Sequence, residues 1–147
     1  MLLTTVAFSF LAGGLAKADP CKAIPDRGPM PSYLAAGRTF QGSVVYVGDG
    51  DSICVATGEG PAGWVEVRVS DFYAVELSAP GGQNAKAALE RTAKGKRAIC
   101  VAEHRSHDRV VARCTIGGVS IGDRMRRAGV PEGGNGRWPG AARSAPD

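Results

Sequence analysis

Asp49-Gly50-Asp51 sets two carboxylates at one short polar break between apolar runs. Paired carboxylates there can hold a hard cation such as calcium, which takes oxygen ligands. Asp and Gly also fill hairpin turns that hold nothing. The stretch "VRVSDFYAVEL", residues 67–77, adds Arg68 and, eight residues on, Glu76. A guanidinium grips a phosphate through two parallel hydrogen bonds. A carboxylate beside it can orient and deprotonate a water. The plain alternative is an exposed ion pair, which contributes little. Arg109 follows "HRSHD". On the same face it would close a clamp around a phosphoryl group whose charge grows toward the transition state. Otherwise it is one more basic residue on a basic surface.

Other polar groups carry less. His104 and His107 fall on opposite faces of a strand pair or in its turn, which gives them no shared chemistry. Gly81-Gly82 lacks the lysine and the strand-to-helix setting of a phosphate loop. No Cys-x-x-Cys pair exists, which argues against zinc.

The scaffold must come from 147 residues, enough for one domain, of which 44% are apolar and 22% charged. That balance belongs to a globular chain and argues against a disordered one. The net charge of +4 is a mild bias, compatible with a polyanion partner. Residues 1–18 carry no charge before Lys17 and end in Ala16-Lys17-Ala18. They read as a secretory signal peptide cleaved after Ala18. A membrane anchor is the alternative, but the apolar run is short and is broken by Gly13 and Gly14. Four cysteines, Cys21, Cys54, Cys100 and Cys114, remain after cleavage. An even number in an exported chain suggests disulfides.

Residues 19–37 read as an irregular arm and 38–130 as the folded domain. Strands are expected at 40–47 and 52–56, with Gly48 to Asp51 as their hairpin turn, because Gly tolerates positive φ. A third strand is expected at 64–73. In "GGQNAKAALERTAKG" the period changes, and Ala85, Ala88, Leu89 and Thr92 share one helical face. Gly95 would end that helix. Strands at 97–103 and 109–115 follow. A short helix is then capped by Ser120 and stopped by Gly129. Residues 131–147 are Gly, Pro and Ala rich and are expected to be a flexible tail. The order β-β-β-α-β-β-α suits a mostly β, α+β chain: a five-stranded OB-fold barrel with two short helices. Order alone also admits other α+β folds. In a hairpin centred on His107, Cys100 and Cys114 lie equally far from the turn and face each other. Cys21 and Cys54 would then be left to pair. A reduced, buried pair is the alternative.

Five segments agree in order: "FQGSVVYVGDGDSI", then "VRV" with Glu76 beyond it, the helix, "SHDRVVARC", and "GVSIGDRMRRAGV". In this the chain resembles the staphylococcal nuclease-like (thermonuclease) family, from about Phe40 to Val130. The resemblance implies an OB-fold and calcium-assisted hydrolysis of phosphodiester bonds in DNA and RNA. By position, Arg68 is similar to the first phosphate-binding arginine and Arg109 to the second. Glu76 is similar to the glutamate that orients or activates the attacking water. Asp51 looks like a direct calcium ligand, Asp49 its supporting neighbour, and Ala74 a backbone carbonyl donor.

The family usually reads Ile-Asp-Ala-Pro-Glu-Leu where this chain has Phe72-Tyr73-Ala74-Val75-Glu76-Leu77. Tyr73 thus stands at the second calcium aspartate, and Val75 replaces the proline. Asp71 is either a replacement ligand or an exposed strand residue. Three readings follow. The first is an exported, periplasmic or secreted nuclease with a weakened calcium site. It would act as a monomer on DNA or RNA, with no stable protein partner and no membrane attachment after cleavage. The second is a catalytically weak or inactive module that binds nucleic acid or another polyanion. The third is a disulfide-stapled domain whose partner is a protein; it requires that Arg68, Glu76 and Arg109 do not converge.

Overall fold

Val65, Val67 and Val69 face inward from β3 (Trp64–Val69), leaving Trp64, Glu66 and Arg68 on the outside. The same alternation runs through β1 (Thr39–Val47), β4 (Arg97–Ser106) and β5 (Arg109–Ile116), while β2 (Ser52–Ala56) is almost wholly buried. One inward face per strand needs one enclosed core. The computed structural model, which describes residues 19–133, meets that need by closing the sheet. The expected leader, 1–18, and residues 134–147 of the expected tail lie outside the described residues.

The strands run in the order β3-β2-β1-β4-β5, antiparallel throughout, and β3 then pairs in parallel with β5. Closure is through Val67↔Val110, Arg68↔Val111 and Val69↔Ala112. The result is a closed five-stranded mixed barrel of the OB type, α+β and mostly β, as the element order suggests. A two-residue strand, β6 (Val119–Ser120), extends β5 beyond a Gly117-Gly118 turn. Helices α1 (Gly82–Ala93) and α2 (Ile121–Arg127) pack against the barrel. Phe72, Leu34, Ile53, Leu89, Ile121 and Met125 are fully buried. Among the described residues, no helix is long and apolar enough to cross a membrane.

Helix ends follow local chemistry. Asp123 N–H donates to the Ser120 hydroxyl at 3.1 Å, which caps α2. Gly95 and Gly129 take the left-handed backbone that ends each helix. Thr92 lies on the expected face of α1 but is only part-buried. Its hydroxyl bonds to Ala88 O at 2.7 Å and to Met125 Sδ at 3.8 Å, which links the two helices.

Three expectations change, and the irregular arm is found anchored. The third strand ends at Val69 instead of Tyr73. The chain turns at Ser70-Asp71, which carries Phe72 into the core. Gly50 and Gly48 do not have positive φ. Gly50 is required for space: a Cβ there would collide with the Cβ atoms of Ala74 and, at 2.7 Å, Ala85. The arm is fastened. Lys22 and Ala23 N–H groups donate to Trp64 O, and the Arg105 guanidinium bonds to the Gly28 and Pro25 carbonyls. Finally, the second hairpin turns at His107-Asp108, with Ser106 opposite Arg109.

That turn alone would put Cys100 and Cys114 out of register. A bulge between Ala102 and His104 shifts the pairing by one residue, and Cys100 lies opposite Cys114 after all. Both expected disulfides are present, Cys100–Cys114 across β4 and β5 and Cys21–Cys54 from the arm to β2. Two disulfides are compatible with an oxidising, exported compartment.

Candidate active site

Asp51 begins where β1 hands over to β2. Its N–H donates to Asp49 Oδ1 at 3.0 Å, a local Asx turn that fixes the backbone. Its carbonyl accepts from Val69 N–H at 2.8 Å, which ties the turn to the end of β3. The side chain is buried, only 4% of the residue being exposed. Oδ2 accepts from Ala74 N–H at 2.9 Å and pairs with Arg68 Nη2 at 3.1 Å. Arg68 is presented by the outward phase of β3, opposite Ser52. Thus the first turn, the third strand and the loop after it meet on one carboxylate.

Burial pushes the Asp51 carboxyl up to about 6. The Arg68 charge pulls it down, and the neighbouring Asp49 pushes it up again. One guanidinium therefore does not fully offset the cost of keeping this carboxylate dry and charged. The Arg68 guanidinium lies over the Tyr73 ring, 5.3 Å from the centroid. Burial, outweighing the pull of Arg68, raises the phenol further above its ordinary value, so it stays neutral. The side chain at the expected aspartate position is a platform for the arginine.

Asp71 is not an exposed strand residue: its side chain is 10% accessible, and among the described residues neither carboxylate oxygen has a hydrogen-bond partner. Its carboxylate is packed against Gly122 of α2, where a Cβ would come within 2.6 Å of an Oδ atom. Among the described residues it pairs with Arg113, at 3.9 Å. The turn at Ser70-Asp71 causes this, because it breaks the strand phase that would have kept Asp71 on the face of Tyr73.

Arg109 is half-buried at the start of β5, in the same outward phase as Val111, the register partner of Arg68. Arg68 and Arg109 therefore share a face, offset by about 6–7 Å along the strand. Beside Arg109 stands Glu66, whose carboxyl is pushed up to about 7 by burial first and then by Asp19. Asp108 adds to this, and the Arg109 charge opposes it. Period-2 alternation could have placed Glu66 on the arginine face; the Asp19 contact, made by the arm, had no sequence signal. Glu76 is exposed on the loop that follows Ala74. Among the described residues no hydrogen bond or ion pair joins its carboxylate to Arg68 or Arg109.

The donors fit a hard cation, with Tyr73 adding no carboxylate. Asp51 and Asp49 supply carboxylate oxygens in the same turn, and the charge on Asp51 is under-compensated. Asp19, Cys21 and Cys54 also bring ligand-type atoms within 4.8 Å of one another. The two sulfurs are bonded to each other, which leaves no thiolate for a metal.

The loop has a second support that sequence patterning missed. Tyr73 N–H donates to Glu132 Oε1 at 3.2 Å, and Gly133 N–H donates to Tyr73 O at 3.1 Å. The first residues of the expected flexible tail are therefore docked on the site loop. No family model and no curated protein matches this chain, so the resemblance rests on its own motifs and their order.

Proposed function

We propose that this chain is an exported nuclease of the thermonuclease type that hydrolyses phosphodiester bonds of DNA or RNA. The observation that carries the reading is the Arg68 guanidinium, held between a buried carboxylate at 3.1 Å and an aromatic face at 5.3 Å. An arginine fixed this way presents its remaining N–H groups to solvent with little freedom left to lose on binding. Arg109, on the same outward face, supplies the second charge. Together they grip the non-bridging oxygens of a phosphodiester and stabilise the charge that builds as water adds. Glu76, exposed and carboxylate-bearing, takes the proton from that water. The departing oxygen leaves with a proton from solvent.

Asp51, Asp49 and the Ala74 carbonyl would hold calcium. Bound there, the ion supplies Lewis-acid polarisation of a phosphoryl oxygen. Tyr73 contributes no charge to it, so the affinity is weaker than with two direct aspartates. The leader at 1–18 supplies export, and the mature chain acts as a monomer.

A second reading has its own observation. Arg68 already neutralises part of the charge on Asp51, which lessens the need for an ion. On that reading the barrel binds single strands through the arginine face without cutting them. Cleavage of single-stranded DNA across a calcium titration, with EDTA and Glu76→Gln as controls, separates the two. Calcium-dependent cutting that Glu76→Gln abolishes supports the nuclease. Salt-sensitive retention of DNA without cutting supports the binder.

A further inference from the structure

The loop from Asp71 to Ala74 is pinned from outside the barrel. Glu132 accepts the Tyr73 N–H through Oε1 at 3.2 Å. Its Oε2 pairs with Arg126 Nε at 3.2 Å. Arg126 in turn donates through Nη2 to Asp71 O and pairs with Asp123 at 3.1 Å on its own helix. Its guanidinium also lies over the ring of the buried Phe72, 5.9 Å from the centroid. Ala74 and Glu132 form an isolated antiparallel bridge, closed by Gly133 N–H on Tyr73 O. Ala74 N–H then reaches Asp51 Oδ2 at 2.9 Å. An unbroken chain of contacts thus runs from α2 through Arg126, Glu132 and Tyr73-Ala74 to Asp51.

We propose that Glu132 and Arg126 are positioning residues that brace the 71–76 loop and so fix Asp51, Tyr73 and Glu76 relative to one another. The inference rests on the function proposed above. The loop needs such a brace because it has no proline before Pro80 to fix φ. It leaves β3 at Val69 and reaches α1 only at Gly82. Within it, residues 71–74 meet α2, Glu132-Gly133 and Asp51, besides the strand arginines Arg113, paired with Asp71, and Arg68, over the Tyr73 ring. Arg126 and Glu132 are part-exposed, with side chains 44% and 38% accessible, so their ion pair adds little to global stability. Its effect is local.

The test compares Glu132→Ala with Glu132→Gln in the mature chain. Glutamine keeps an oxygen for the Tyr73 N–H, and alanine does not. Amide hydrogen exchange by NMR should show Tyr73 and Ala74 losing protection about tenfold or more in Glu132→Ala and staying near wild type in Glu132→Gln. On single-stranded DNA, kcat should fall about tenfold in Glu132→Ala with KM within about twofold, since the arginines on the barrel strands are untouched. Glu132→Gln should recover most of it.

Unchanged protection in Glu132→Ala overturns the brace. Lost protection with unchanged kcat in an active enzyme overturns its positioning role. If the wild type does not cleave, the proposed nuclease fails. The exchange comparison then decides the brace alone: protection lost with alanine and kept with glutamine supports it.

Discussion

The guanidinium of Arg68 lies 5.3 Å from the centre of the Tyr73 ring. A residue placed where a carboxylate ligand was expected is spent on an arginine instead. On the proposed function, the cation site loses a charge and the phosphate-binding arginine gains a fixed position. Tyr73→Asp should therefore raise calcium affinity at least about tenfold, the scale of one added carboxylate near a partly neutralised site. Tyr73→Phe should leave it unchanged, because the ring face is kept. Calorimetric titration with calcium reads both. Equal affinity in wild type and Tyr73→Asp would place the ion elsewhere.

Asp51 gives a pH dependence with a definite sign. Its folded carboxyl sits at about 6, above the ordinary range, so between the two values the folded chain binds more protons than the unfolded chain. Its contribution to stability is present at low pH and lost as pH rises through about 6. Glu66, at about 7, acts in the same sense over a higher window. Urea denaturation of wild type and Asp51→Asn from pH 4 to 8 should show the wild type losing ground to the variant up to about pH 6 and holding level above it. A constant difference across that range contradicts the buried, under-compensated carboxylate.

Gly50 and Gly122 are fixed by close approach. A Cβ at Gly50 meets Ala85 at 2.7 Å, and one at Gly122 meets an Asp71 oxygen at 2.6 Å. Gly50→Ala should cost roughly 1–3 kcal/mol and distort the turn that holds Asp51. Gly122→Ala should cost about as much while leaving calcium affinity near wild type, an outcome that would put Asp71 outside the proposed cation site. Thermal melts and calcium titration of the two variants separate a site effect from a packing effect.

The barrel was legible because closure needs only alternation, hairpin spacing and element order. Val65, Val67 and Val69 fixed the phase of β3, and with it the outward position of Arg68. The Cys100–Cys114 pair was also legible, although the hairpin turn was displaced by one residue and a bulge at Glu103 restored the register. What patterning missed depends on tertiary contact. The turn at Ser70-Asp71 is set by Phe72 seeking the core, and it decides that Asp71 points at Gly122. The docking of Glu132 on Tyr73 joins residues 59 apart inside a segment whose composition reads as loose chain. Glu66 sat in plain alternation with Arg68. Only the arm, through Asp19, makes it a perturbed group.

The two disulfides differ in what they hold. Cys100–Cys114 closes a short hairpin of sequence separation 14, and its removal should cost about 3 kcal/mol in the chain-entropy account. Cys21–Cys54 fastens the arm to β2. Cys21→Ser with Cys54→Ser should expose the Lys22 and Ala23 amides to exchange while β4 and β5 stay protected. Hydrogen exchange of both double variants distinguishes these outcomes; equal loss across the barrel would contradict the local role.

The central claim is that Arg68, Arg109 and Glu76 form one hydrolytic site. The most direct measurement is the rate of single-stranded DNA cleavage by the mature chain under saturating calcium, for wild type, Glu76→Gln and Arg68→Lys. The expected result is cutting by wild type, a loss of at least about a hundredfold in Glu76→Gln, and a comparable loss in Arg68→Lys, whose ammonium cannot make the paired phosphate contact. A folded wild type that does not cut, or a Glu76→Gln variant that cuts at the wild-type rate, contradicts it.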